Sequence, residues 1–86
     1  MADTVEIFVT MGCPFCRKLM DWLAQYGVEH SRTVFTTTTE KMAFYSKHPG
    51  VRTVPQIFLN GERIGGWSDL QEHEFKRKVE ENHKSA

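Results

Sequence analysis

Apolar and polar positions change period several times along the chain, and each change marks an element. Val5-Glu6-Ile7-Phe8-Val9 is an apolar run of strand length, apolar on both faces as a central strand is, and the strand it predicts ends at Thr10. Leu19, Met20, Leu23 and Ala24 then recur at helical spacing. The helix starts at Pro14, where a missing N–H costs nothing, and runs to Gln25 or Tyr26, with Gly27 just past its end. Trp22 falls off the main stripe and is placed at its edge. Val28 to Phe35 is a second strand, β-branched and aromatic towards its end. Thr37 with Glu40 three residues later is a capping box, which opens a helix from Thr38 to Lys47. Pro49-Gly50 stops it.

From Val54 the period changes again. Gln56-Ile57-Phe58-Leu59, Asn60-Gly61 and Glu62-Arg63-Ile64-Gly65 form a hairpin around a type I′ turn dipeptide. Ser68 with Gln71 is a second capping box, opening a last helix through about Glu81 that carries Leu70, Phe75 and Val79. Residues Asn82 to Ala86 are expected to fray. Strand, helix and strand of these lengths imply a parallel pair with a right-handed crossover. The order β-α-β-α-β-β-α is thus an α/β fold: a mixed four-stranded sheet flanked by three helices.

Composition narrows the function more than the fold. A chain of 86 residues is read as one domain, residues 1–86, with a thin core. Lys plus Arg and Asp plus Glu number 11 each, and no basic stripe with interleaved aromatics gives an argument for nucleic acid. No apolar stretch approaches the roughly 18–20 residues of a membrane span. Met1-Ala2-Asp3-Thr4 lacks the basic and apolar regions of a secretion signal. The expectation is a soluble, monomeric, cytoplasmic protein.

The candidate chemistry lies at the first strand-to-helix junction, in Cys13-Pro14-Phe15-Cys16. These are the only two cysteines. In a reducing cytosol a pair so close is no structural staple. Cys13 falls where the helix N-cap belongs, facing unpaired backbone N–H groups and the positive end of the helix dipole. A free thiol of pKa near 8.5 is only about 3% thiolate at neutral pH, and a shift to ~5 brings roughly a 30-fold gain. Nucleophilicity falls in step, by about 40-fold for a Brønsted slope near 0.45. The two nearly cancel for attack. A low pKa therefore helps chiefly when the Cys13 sulfur leaves, and substrate binding must supply the selectivity. Cys16, one turn on, is either a resolving thiol or a buried residue of the apolar stripe, and both can hold at once. A half zinc site completed by His30, His48, His73 or His83 is the other reading. None of these histidines pairs at finger-like spacing, and C-x-x-C beside a βαβ unit favours redox chemistry with no metal.

The Cys-Pro-aromatic-Cys core is followed in order by Thr53-Val54-Pro55 and by Gly65-Gly66-x-Ser68-Asp69. Together these resemble the glutaredoxin family of the thioredoxin fold, over nearly the whole chain. The resemblance implies a glutathione-dependent thiol–disulfide oxidoreductase that reduces protein disulfides and protein–glutathione mixed disulfides. Cys13 would be the nucleophile and Cys16 the resolving thiol, with glutathione as cosubstrate. It also implies a cis Val54-Pro55 bond, with the Val54 N–H and C=O turned outward to pair with glutathione. Phe15 replaces a more frequent tyrosine as an aromatic wall. Arg52 is either the partner of the glycine carboxylate or a solvated surface charge, and Thr53 belongs to the glutathione-binding Thr-Val-Pro segment. Gly66 permits close backbone approach, and Ser68 with Asp69 receives the γ-glutamyl end. Two positions depart from the family. Thr10 stands where many members carry a lysine, leaving electrostatic activation to the helix end, Arg17 and Arg52. Trp67 stands where several have a third cysteine. Two other functions follow from the same resemblance: a redoxin recycled by thioredoxin reductase and serving ribonucleotide reductase, and an iron–sulfur cluster carrier, against which Pro14 counts.

Overall fold

The computed structural model describes residues 3–85, the side chains of 83–85 excepted. Strand β1 (Val5–Thr10) leads into helix α1 (Pro14–Gln25), strand β2 (Ser31–Phe35) and helix α2 (Thr38–Lys47). Strands β3 (Gln56–Leu59) and β4 (Glu62–Gly65) follow, then helices α3 (Trp67–Glu72) and α4 (Glu74–Ser85). The sheet order is β2-β1-β3-β4. β1 pairs in parallel with β2 and antiparallel with β3, and β3 pairs antiparallel with β4. This is the mixed four-stranded α/β sheet that the apolar periods predict, with β1 inside it.

The two faces of β1 feed two cores. Val5, Ile7 and Val9 are buried with Ile57, Leu19, Leu23, Leu70 and Phe75, so α1, α3 and α4 cover that face. On the other, Phe8 and Phe58 pack on Phe35, Phe44 and Val51 beneath α2, the Phe8 and Phe44 rings stacking at 4.5 Å. At the end of α1, Val28 N–H reaches the Leu23 carbonyl and Gly27 N–H the Ala24 carbonyl, with Gly27 at φ 62°. That is the Schellman closure which a glycine past the last helical residue permits.

Local signals hold where the pairing is local. Thr37 Oγ1 accepts from the Glu40 N–H at 3.1 Å, and Glu40 Oε1 accepts from the Thr37 N–H at 3.1 Å. Asn60 and Gly61 take φ 52° and 85°, the left-handed pair that a type I′ turn requires.

Five expectations are corrected. β2 begins at Ser31 rather than Val28, because Val28 and His30 close the α1 terminus: the His30 ring Nδ1 lies 2.9 Å from the Val28 carbonyl. Trp22 is buried rather than peripheral, and its indole N–H donates to Glu80 Oε2 at 3.0 Å. The last helix is two helices, so four rather than three flank the sheet. His73 takes an extended ψ of 141°, and its Nδ1 accepts from the Phe75 N–H at 3.0 Å, which caps α4. The cap of α3 is Gly66 with Asp69, not Ser68 with Gln71: Asp69 Oδ2 accepts from the Gly66 N–H at 2.9 Å. Finally, α4 stays helical to Ser85, where fraying was expected, and Ala86 lies outside the described residues. No helix among the described residues is long and apolar enough to cross a membrane.

Candidate active site

β1 ends against the sheet edge where Thr10 Oγ1 donates to the Phe35 carbonyl at 3.3 Å. The chain then turns through Met11 and Gly12, the latter at φ 74°, into Cys13. Cys13 is the extended N-cap of α1 with Pro14 at the first helical position. Both thiols are free. Cys13 is partly exposed, and Cys16 is fully buried among the α1 core residues.

Their protonation follows from that difference. Partial burial opposes ionisation of Cys13. It is outweighed by hydrogen bonds from the Cys16 backbone, the Cys16 thiol and the Phe15 backbone, with the charge of Lys41 adding to them, so the Cys13 pKa lies below the ordinary thiol value. Burial pushes the Cys16 thiol up to about 12; the Thr10 backbone opposes this, and the neighbouring Cys13 sulfur reinforces it. Cys13 is therefore the thiol available as thiolate, and Cys16 holds its proton. The helix end contributes as the sequence indicates, through the first-turn N–H groups of α1. The cation that joins it is Lys41, in the first turn of α2, which no motif singles out. Its nearness to Cys13 is set by the way α2 follows β2 beside the end of β1.

The remaining candidate residues gather on one side of the thiol. Val54-Pro55 is cis, and the Val54 carbonyl lies 3.9 Å from Cys13 Sγ. Phe15, Arg52, Thr53, Val54, Pro55, Gly66, Ser68 and Asp69 all line one cavity of about 440 Å³. Phe15 is exposed at its rim, with Lys18 Nζ 5.5 Å from the ring centroid. Gly66 brings the α3 entry against the far wall: a Cβ there would meet the Pro55 carbonyl at 3.4 Å. The cavity also takes in Gly50, Gln56, Arg63 and Trp67, none of them among the residues that the resemblance assigns to the site. Arg63 alternates out of the hairpin, and no local pattern ties it to a loop so distant in sequence. A second groove of about 520 Å³ opens on the other side of Cys13, lined by Met11, Arg17, Lys18 and Met20 among others. Among the described residues, no three His, Cys, Asp or Glu side chains come together as a metal would need.

A partly exposed low-pKa thiol at a helix start, backed by a buried thiol one turn on and faced by a cis-proline segment, defines a thiol–disulfide oxidoreductase on a thioredoxin-like fold. Residues 5–64 match the glutaredoxin family, and the chain belongs to that family. Glutaredoxin-1 of monkeypox virus is 36% identical over 76 residues, covering 81% of this chain and 70% of the viral protein. Glutaredoxin 1 of Francisella tularensis, solved with cacodylate, superposes with a TM-score of 0.80 at 28% identity, covering 90% of this chain and 98% of that one. A buckwheat glutaredoxin solved as its glutathione complex shares the fold at a TM-score of 0.75 and 21% identity, covering 96% of this chain and 78% of that one.

Proposed function

We propose that this protein reduces protein–glutathione mixed disulfides and protein disulfides at the expense of glutathione, in the cytoplasm. The observation that carries the reading is the convergence of Phe15, Thr53, Val54, Pro55, Gly66, Ser68 and Asp69 on one cavity beside Cys13. The buckwheat relative binds glutathione on this fold. Here the glutathione cysteine pairs with the outward Val54 backbone, and Phe15 covers its side chain. Arg52 takes the glycine carboxylate. The first turn of α3 takes the γ-glutamyl end, where Asp69 keeps one carboxylate oxygen for the ammonium while the other caps Gly66.

In the first step the Cys13 thiolate attacks the glutathione sulfur of a mixed disulfide. The old S–S bond breaks, and its electron pair leaves with the protein sulfur, which takes a proton from water. A glutathione thiolate then attacks the glutathionyl sulfur on Cys13 and releases oxidised glutathione and the Cys13 thiolate. With a protein disulfide, Cys16 loses its proton and attacks the Cys13 sulfur instead. The Cys13–substrate bond breaks, and the substrate sulfur leaves as a thiol. Two glutathione molecules then reduce the Cys13–Cys16 disulfide and leave as oxidised glutathione. The Cys13 charge that helps hold the Cys16 proton is lost once Cys13 is bonded to substrate, so Cys16 becomes a better nucleophile at the step that needs it.

Glutathione-dependent reduction of a small mixed disulfide tests this. Cys13→Ser is expected to abolish turnover, and Cys16→Ser to keep it while losing reduction of protein disulfides. Activity surviving in Cys13→Ser, or turnover with thioredoxin reductase and NADPH but none with glutathione, refutes the proposal.

A further inference from the structure

Gln56 is a polar side chain in an unusual setting. It is only 3% exposed, it pairs with Phe8 across the β1–β3 ladder, and Phe8 packs with Phe35, Phe44, Val51 and Phe58 on that face of the sheet. Its Nε2 donates to the Thr53 carbonyl at 2.9 Å and lies 3.5 Å from the Thr53 hydroxyl. Its Oε1 has no hydrogen-bond partner among the described residues. An amide buried with its acceptor unmet is a poor stabiliser, because an orphaned polar group costs as much as a neutral hydrogen bond returns, or more. A leucine or methionine among these rings would hold the fold at least as well. The side chain is better explained by what it grips. From His48 to Pro55 the chain belongs to neither helix nor sheet ladder, and Val51 N–H to the His48 carbonyl ties only the start of the segment. The Thr53 carbonyl stands immediately before Val54, whose own carbonyl lies 3.9 Å from Cys13 Sγ.

We propose that Gln56 is a positioning residue for the disulfide exchange: its side-chain amide clamps the Thr53 carbonyl and so fixes the Val54 backbone against which the substrate disulfide is aligned. The proposal rests on the groove beside Val54 being the substrate groove. Gln56 lines the same cavity, and it acts on the exchange through Thr53 rather than on the sulfurs themselves. It lowers the entropy lost on binding by keeping the wall in its bound form beforehand.

The test compares wild type with Gln56→Leu, and with Gln56→Met should the leucine variant fail to fold. The amide order parameters of Arg52, Thr53 and Val54 are expected to drop from rigid values near ~0.85 towards ~0.6, with β1 and β3 unchanged. KM for a glutathionylated peptide should rise about five- to tenfold, the effect of removing one ordering hydrogen bond. kcat and the thermal midpoint should hold, or the midpoint rise. Unchanged order parameters overturn the proposal. So does a wild-type KM, whether or not the midpoint falls, because Gln56 would then serve only the fold. The wild-type preference for the glutathionylated peptide over hydroxyethyl disulfide reports on glutathione as substrate. The variant-to-wild-type ratios, measured with either disulfide, report on Gln56 alone.

Discussion

Cys13 is made reactive by its neighbours more than by its own exposure. Its pKa is lowered although burial opposes ionisation, because the Cys16 and Phe15 backbone, the Cys16 thiol and the Lys41 charge all favour the thiolate. Thr10 leaves vacant the position from which a lysine acts in many glutaredoxins, and Lys41 brings a charge from another element. Lys41→Met is therefore expected to move the pH midpoint of Cys13 alkylation by iodoacetamide upward by about 0.3–0.5 pH unit, the size of one charge acting through solvent. A midpoint equal to wild type would assign the whole effect to the end of α1. Cys13 could be read from the sequence because its activators in α1 lie within three residues of it. Lys41 could not: twenty-eight positions separate them, and only the packing of α2 beside the end of β1 brings them together.

Among the elements, the same division between local and distant causes decides which boundaries were legible. The Thr37–Glu40 box and the Asn60-Gly61 turn are closed by atoms three residues apart or fewer, and both follow directly from the sequence. The entry to α3 did not, because Ser68 and Gln71 offer the same pattern two residues on. What selects Gly66 is Gly65, at φ 123°. It turns the chain so that the Gly66 N–H meets the Asp69 carboxylate, and a Cβ on Gly65 would collide with that carboxylate. The break at His73 was illegible for another reason. It is set by the need of Leu70 and Phe75 to reach one core, with the His73 ring supplying the new cap. Asp69→Ala should lower stability in urea by about 1 kcal/mol, as loss of a helix-capping carboxylate does. Gly65→Ala, strained in φ and crowded by Asp69, should cost more than about 1 kcal/mol. Because the crowding atoms belong to Asp69, the double variant should be less unstable than the sum of the two. Strict additivity would show that Gly65 matters through its backbone angle alone.

At the scale of the whole molecule, the two thiols give stability opposite dependences on pH. Cys16 is raised to about 12 from an ordinary 9.0. Below 9.0 it is protonated whether the chain is folded or unfolded, and its contribution is complete. Between 9.0 and about 12 the unfolded chain has released that proton and the folded chain retains it. Stability then falls as pH rises, by up to about 1.4 kcal/mol per pH unit. Cys13, with its folded pKa depressed, contributes stability that is full above its unfolded value and lost as pH falls through the folded one. Tyrosines and lysines also titrate in the alkaline range, so the wild-type slope alone does not isolate Cys16; two comparisons do. Cys16→Ala should flatten the alkaline fall in the urea midpoint of the reduced protein. Oxidation to the Cys13–Cys16 disulfide, which removes both thiol protons from folded and unfolded chains alike, should flatten it as well. The oxidised protein should thus gain stability relative to the reduced protein as pH rises above 9.0, while the tyrosines and lysines, common to both forms, cancel. An alkaline slope identical in reduced, oxidised and Cys16→Ala protein would mean that the buried thiol is not held protonated by the fold, and the division of labour between the two cysteines would have to rest on exposure alone.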